Sequence, residues 1–233
     1  MQIKKYGITL TRLTEEDLEL LRKQRNAEHI SRYMEFREYI TQEGQKKWFE
    51  SINNNNNLYF IISYEGEKIG LINSKEIQWN PLKSEAGLFI WEQSYWHTSI
   101  PAFSTLVLLE IAFFIDQAEV SYCSVLSDNP RAQHFNKQLG YELLPGQEDV
   151  FNQRYQLTKE RFFKKTVKII RAAETLSNEE EKTLSISFTH KDFETGIAQL
   201  LLGQADKNTF SEIIDTDLGQ TVVFKNMRKN GDE

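Results

Sequence analysis

The stretch SEAGLFIWEQSYWHTSIPAFSTLVLLEIAFF, Ser84 to Phe114, runs from an apolar strand through a short polar turn into a long apolar helix. Its middle, YWHTSIPAFS, places Pro101 where a helix begins, a position that tolerates the missing N–H of proline. A strand that feeds a helix N-terminus presents unpaired N–H groups and the positive end of the helix dipole in front of the turn. That is the layout of a site holding phosphate on backbone amides. Yet the turn contains no glycine to let an anion approach the chain closely. The apolar run Ile100–Ile115 is shorter than the roughly 20 residues of a membrane span and carries Glu110 in its middle, so it reads as a buried helix.

Toward the N-terminus, residues 6–13 read as a first strand, and Thr14 and Asp17 have the spacing of a capping box for a helix to about Arg25. Another helical stretch falls near 27–34. Thr41 caps a third, in which Trp48, Phe49 and Ile52 share a face that reads as core. Five asparagines at 53–57 break the pattern. Two strand-like runs joined at Glu65-Gly66, then a fourth strand from about Ser84 to Trp91, make an antiparallel meander.

Toward the C-terminus, EVSYCSVL is a fifth strand, and a helix from about Pro130 to Leu139 stops at Gly140. YELL and VFNQRYQL then form an antiparallel pair, and the mixed α/β layout ends near Leu157. A helical run from Thr158 leads into the charged linker ETLSNEEEK. Past it, TLSISFT, KDFETGIAQLLLG and QTVVFK read as a small strand-helix-strand appendage. The chain thus divides into a domain over 1–160, a helix and linker over 161–182, and an appendage over 183–233. Phe193, Ile197, Leu200 and Leu201 fall on one helical face of that appendage. So small a unit does not bury its own core securely. It should dock on the preceding domain or a second copy, walling a substrate site or extending a homodimer interface.

Composition narrows the function classes. With 39% hydrophobic and 27% charged residues and fifteen Phe, the 233-residue chain has the make-up of an ordinary globular protein. A net charge of -6 argues against nucleic acid as a partner, because that affinity rests on clustered Lys and Arg. Cys123 is the only cysteine, which excludes an intrachain disulfide and a cysteine metal cluster and fits the cytoplasm. It reads as a small hydrophobe packed in a strand. The first residues lack the apolar core of a signal peptide, and no membrane association is expected. His29, His134 and His190 show no ligand spacing, so no metal is expected either.

The order of elements, with SEAGLFIWEQSYWHTSIPA and then NPRAQHFNKQLGYEL, resembles the GNAT superfamily of acyl-CoA-dependent N-acetyltransferases over about residues 6–160. Asn129, Ala132, Phe135 and Gly140-Tyr141 stand at the family's spacing, and SEAGLFI matches its fourth strand with Glu85 and Gly87 in register. The resemblance implies an α/β fold: a mixed, mostly antiparallel sheet flanked by helices, with the small C-terminal α/β appendage added. It also implies acetyl-CoA as cosubstrate, with pantetheine in a gap between the fourth and fifth strands and pyrophosphate on the turn. The contacts it implies are Ile90, Trp91, Trp96, His97, Thr98, Ser99, Ile100 and Ala102, then Asn129, Ala132 and Phe135.

The implied activity is transfer of an acetyl group to a primary amine of a small molecule, with Glu85 accepting the ammonium proton. Three turn slots depart from the family pattern: Gln or Arg, Gly, and Gly or Ala are here Trp96, Ser99 and Pro101. The hydroxyls of Thr98 and Ser99 are the substitutes for a lost donor. The slot of the Tyr that protonates the departing thiolate holds Asn136, which has no acidic proton. A thiol with a pKa of roughly 8.5 needs only modest help to leave.

The front of the chain, LRKQRNAEHISRYM and YITQEGQKKWF, resembles bacterial acetyltransferases of nucleotide-linked amino sugars, and less closely those of protein N-termini. That resemblance makes Arg25, Asn26, Arg32 and Arg37 candidates for a substrate phosphate or carboxylate. The glycine-free turn and the missing Tyr favour a rival: a non-catalytic GNAT-fold binding or scaffold protein.

Overall fold

The N-terminal alternation belongs to two strands. In the computed structural model, which describes residues 1–205 and 210–224, β1 (Gln2–Lys5) turns at Tyr6 and Gly7 and returns as β2 (Ile8–Arg12). Both turn residues have positive φ, 56° and 72°, the conformation a two-residue hairpin demands. This corrects the single strand expected over 6–13. The rest of that region follows its local signals. The capping box of Thr14 and Asp17 closes a short turn before α1 (Leu18–Asn26), and α2 (Glu28–Ser31) is one turn long. The Thr41 side chain accepts from the Gly44 amide at the start of α3 (Gln42–Ile52). β3 (Leu58–Tyr64) and β4 (Glu67–Trp79) meet at Glu65-Gly66.

The opening stretch becomes β5 (Leu82–Ile90), a turn, and α4 (Ile100–Glu110), which continues as a π-helical turn over Ile111–Ile115. Then come β6 (Val120–Leu126), α5 (Pro130–Gln138), β7 (Glu142–Leu143), β8 (Asn152–Thr158) and α6 (Lys159–Leu176). The C-terminal segment holds β9 (Leu184–Thr189), α7 (His190–Glu194), α8 (Ile197–Gln204), β10 (Phe210–Thr216) and β11 (Gly219–Phe224). The helix expected over 191–203 is two helices because Gly196 takes a left-handed φ of 79°. β10 is a strand the sequence pattern does not announce, and Lys225 of the expected last strand lies outside the described residues.

The eleven strands of the described residues form one sheet, in the order β10-β11-β9-β1-β2-β3-β4-β5-β6-β8-β7. Among these strands only β5 and β6 run parallel to each other, as a crossover through a helix requires. The C-terminal strands continue this sheet: β9 pairs with β1 through Gln2↔Ser187, Ile3↔Ile186 and Lys4↔Ser185, and β11 pairs with β9.

Strand alternation feeds two cores. Leu58, Phe60 and Ile62 of β3 pack in the larger core with α4, α6 and α8, while Tyr59 and Ile61 meet Leu21, Ile30 and Phe49 on the other face. α4 is buried almost all round, because α6 covers the side the sheet leaves open with Phe162, Thr166, Ile170 and Ala173. Glu110 is accommodated inside by the hairpin, where Lys5 Nζ at 2.5 Å and the Tyr6 hydroxyl at 2.8 Å donate to its carboxylate. Among the described residues, no helix is long and apolar enough to cross a membrane.

Asp116, just after the π-helical turn, has no such help. It is 5% exposed, and among the described residues its Oδ1 has no hydrogen-bond partner. Burial raises its pKa well above the usual carboxylate range. The folded chain therefore holds a proton that the unfolded chain releases above about pH 3.9. The cost of Asp116 grows as pH rises through that window. Asp116→Asn, which keeps the shape and does not ionise, should add roughly 1–3 kcal/mol at about pH 7 and almost nothing near pH 3. Denaturant melts at the two pH values measure this; equal gains at both would contradict it.

Candidate active site

β5 and β6 pair only at their beginnings, through Lys83↔Val120, Ser84↔Ser121, Glu85↔Tyr122 and Ala86↔Cys123. Beyond Ala86, β5 stays on β4 as far as Gly70↔Ile90, while β6 stays on β8 as far as Leu126↔Asn152. The strands therefore fork, and the inner edge of β5 from Gly87 onward has no strand partner. A cavity of about 500 Å³ occupies the fork. Unpaired buried backbone is costly, so the fork suits a ligand arm with its own amide groups.

Alternation divides the cavity between the two faces of the sheet. Ala86 and Leu88 look toward α4 and α5, together with Thr105, Leu108, Cys123, Ala132, Phe135 and Asn136. Glu85, Gly87 and Phe89 look the other way, toward Arg25, Trp48, Tyr59 and Lys75. Gly87 is needed as glycine there, since a Cβ would lie 2.6 Å from Asn73 Oδ1.

Glu85 meets its ladder partner Lys75, with Nζ 3.0 Å from Oε1. Burial alone would lower the Lys75 pKa. The hydrogen bond and charge of Glu85, with Glu76 and Tyr59 adding, raise it instead. Arg25 is half-buried in the same wall, 5.6 Å from the Trp48 ring centroid. Burial lowers its pKa and Tyr59 opposes that, but a guanidinium stays charged. Among the described residues, no carboxylate forms an ion pair with Arg25.

Of the other residues expected to meet a substrate, none enters the cavity. Asn26 is spent on Ile40, accepting from its amide at 2.8 Å and donating to its carbonyl at 2.9 Å, which fastens both ends of the intervening loop. Arg32 is exposed and stacks on Tyr33, while Arg37 pairs with Asp128 at 3.0 Å and lies over Phe151. Trp48 corrects the reading as core. Phe49 is buried, but Trp48, one step round α3, lines the cavity edge-on to Tyr59 at 5.2 Å. Lys75 carries no signal in the sequence, because only the β4–β5 register sets it beside Glu85. Among the described residues of 184–224, none lines the cavity.

On the α4 side, Asn129 caps α5 by accepting from the Ala132 amide at 3.1 Å, and both line the cavity with Phe135. Asn136 also lines it, but its amide turns back to the Ala132 carbonyl at 2.9 Å. Cys123 is buried, and burial first, then the charge of Glu85, pushes its thiol pKa up. The turn lies at the open end of the fork. Trp96 Nε1 donates to the Ile90 carbonyl at 2.7 Å. The Thr98 hydroxyl donates to the Tyr95 carbonyl and accepts from the Ile100 amide, so it is used by the turn and does not replace a lost donor. Ser99 and His97 are exposed, and Ser99 makes no cap bond. Ile90 and Trp91 are buried away from the cavity, the latter bonded through its amide to the Ile69 carbonyl and through its indole to the Lys68 carbonyl. Among the described residues, the Ser99 and Ala102 amides have no protein partner.

No curated protein matches the chain. Several solved structures share its fold. FdhC, described as a nucleotide-linked sugar GNAT, has a TM-score of 0.60 at 20% identity, covering 73% of this chain and 97% of its own. Spermidine N-acetyltransferase from Vibrio cholerae, solved with CoA and spermine, has a TM-score of 0.58 at 19% identity, covering 67% and 98%. AAC(6')-Ib, solved with ribostamycin and coenzyme A, has a TM-score of 0.58 at 17% identity, covering 67% and 96%. A family model described as an acetyltransferase (GNAT) domain matches residues 8–142. That span is more than half of the chain and contains the forked strands and the turn between them, and the chain therefore belongs to the GNAT acetyltransferases.

Proposed function

We propose that the chain is an acetyl-CoA-dependent N-acetyltransferase whose acceptor is a primary amine on a molecule that also bears an anionic group. An amino sugar linked to a nucleotide is the class that fits. The observation that carries this is Arg25, a charged guanidinium in the cavity wall with no carboxylate partner among the described residues. Guanidinium suits phosphate or carboxylate. The lining sets Arg25 and Lys75 against Glu35 and Glu85, with Lys75 paired to Glu85, and an unpaired Arg25 favours an anion-bearing acceptor over a polycation such as a polyamine.

Acetyl-CoA supplies an acetyl group activated as a thioester. The backbone beyond Ala86 offers N–H groups at the inner edge of β5 to polarise a carbonyl there. Glu85, on the face opposite α4, accepts a proton from an ammonium brought in on that side. Lys75 holds the carboxylate in place and has to give way when the ammonium arrives. Asn136 provides no acid, so water protonates the leaving thiolate.

A screen with free-thiol detection tests the proposal. It compares nucleotide-linked amino sugars, free amino sugars, polyamines, aminoglycosides and Ala- or Ser-starting peptides. The nucleotide-linked class should give the highest kcat/KM. Arg25→Ala should raise KM for that acceptor about 10- to 100-fold and change kcat little, as expected for a contact to a charged group that does not react. Preference for a polyamine, or an unchanged KM in the variant, would refute the anionic acceptor. The glycine-free turn supports one other reading, a binding protein without turnover. Titration calorimetry tests it, since no heat with millimolar acetyl-CoA would remove the enzyme and leave that reading.

A further inference from the structure

We infer that Trp96 and Arg131 form an anion clamp for the diphosphate of the acyl-CoA, supplementing a backbone cradle that Pro101 and Thr98 have shortened; the inference rests on the function proposed above. Two connections flank the open end of the fork. The one after β5 carries Trp96, and the one after β6 leads into α5, whose second residue is Arg131. The Arg131 guanidinium lies 4.6 Å from the Trp96 ring centroid, so the two side chains join the connections that follow β5 and β6.

The two side chains divide the work. Trp96 is a platform, because its only N–H is committed to the Ile90 carbonyl and fixes the ring. Arg131 is exposed, and among the described residues no carboxylate pairs with it. A guanidinium stacked by its face keeps its N–H edge for an anion. The turn offers less. Pro101 has no N–H, the Ile100 amide is bonded to Thr98, and Glu92 curls back onto Ser94. Among the described residues, the His97, Ser99 and Ala102 amides have no protein partner, and these with the dipole of α4 remain, so a cation from α5 adds the attraction that the spent donors no longer give.

Titration calorimetry on the full chain tests this with two probes, acetyl-CoA and the phosphate-free acetyl-pantetheine. The wild type should bind acetyl-CoA more tightly. Arg131→Ala should weaken acetyl-CoA about 10- to 100-fold and leave acetyl-pantetheine unchanged, as expected for losing hydrogen bonds to a charged acceptor. Trp96→Leu should act in the same direction, and Arg131→Lys should recover part of the loss. Arg131 is exposed, so its variants should fold, which circular dichroism verifies. Unaltered acetyl-CoA binding by Arg131→Ala overturns the clamp and leaves the function standing. Equal weakening of both probes also overturns it, by showing that Arg131 only shapes the open end of the fork. A wild type that binds neither probe removes the proposed function, and the clamp with it.

Discussion

Glu85→Gln should lower turnover by about 100-fold or more while leaving acetyl-CoA affinity within about two-fold. The carboxylate sits on the last paired segment of β5, immediately before the fork, on the face that also holds Arg25 and Tyr59. Its side chain is only 14% exposed, so bulk water has little access to replace it as a proton acceptor. Gln keeps the shape and still accepts a hydrogen bond from Lys75, so the fork should stay intact. What disappears is the ability to take a proton. Single-turnover thiol release and calorimetry on the same preparation measure both halves. Unchanged turnover would remove Glu85 as the base, and an equal loss of affinity would make it a structural residue of the fork.

A chain ended at Thr183 should lose most of its soluble, folded yield. The segment it lacks is a sheet extension with its own covering helices. Leu184, Ile186 and Phe188 of β9, Ile197, Ala198 and Leu201 of α8, and Val222 and Phe224 of β11 are all buried. Burying a large apolar side chain stabilises by about 1.5–3 kcal/mol. Removing this set therefore discards far more than the few kcal/mol by which a domain is stable, even after crediting the entropy regained. The shortened chain would also bare the outer edge of β1, through which β9 now pairs, and an open apolar edge is a site of aggregation. Soluble yield, thermal unfolding and light scattering read the outcome. A monomeric shortened protein with an unaltered melt and acceptor profile would show the extension to be dispensable.

Features written within a few neighbouring residues were legible in the sequence. The capping box at Thr14, the Glu65-Gly66 turn, the proline-led start of α4 and the helix start at Asn129-Pro130 all depend on the φ preference or side-chain reach of adjacent positions. The forked pair of strands was legible through the motif on either side of it. The N-terminal hairpin escaped because one alternating run spans both strands, and only Tyr6 and Gly7 at positive φ mark the turn.

The chemistry of the cavity wall is another matter, since its residues lie far apart along the chain. Register across the β4–β5 ladder, where one slipped residue reverses every side chain, sets Lys75 on Glu85. The rotation of α3 against the sheet turns Trp48 toward Arg25. Packing also reassigns side chains of the right type: Asn26 to Ile40, Arg37 to Asp128, Thr98 to its own turn. A residue's type says what it can bind, and that much the sequence alone determined. Whether its donors and acceptors are free to bind depends on competition from every group that the fold brings near, which only the tertiary structure decided.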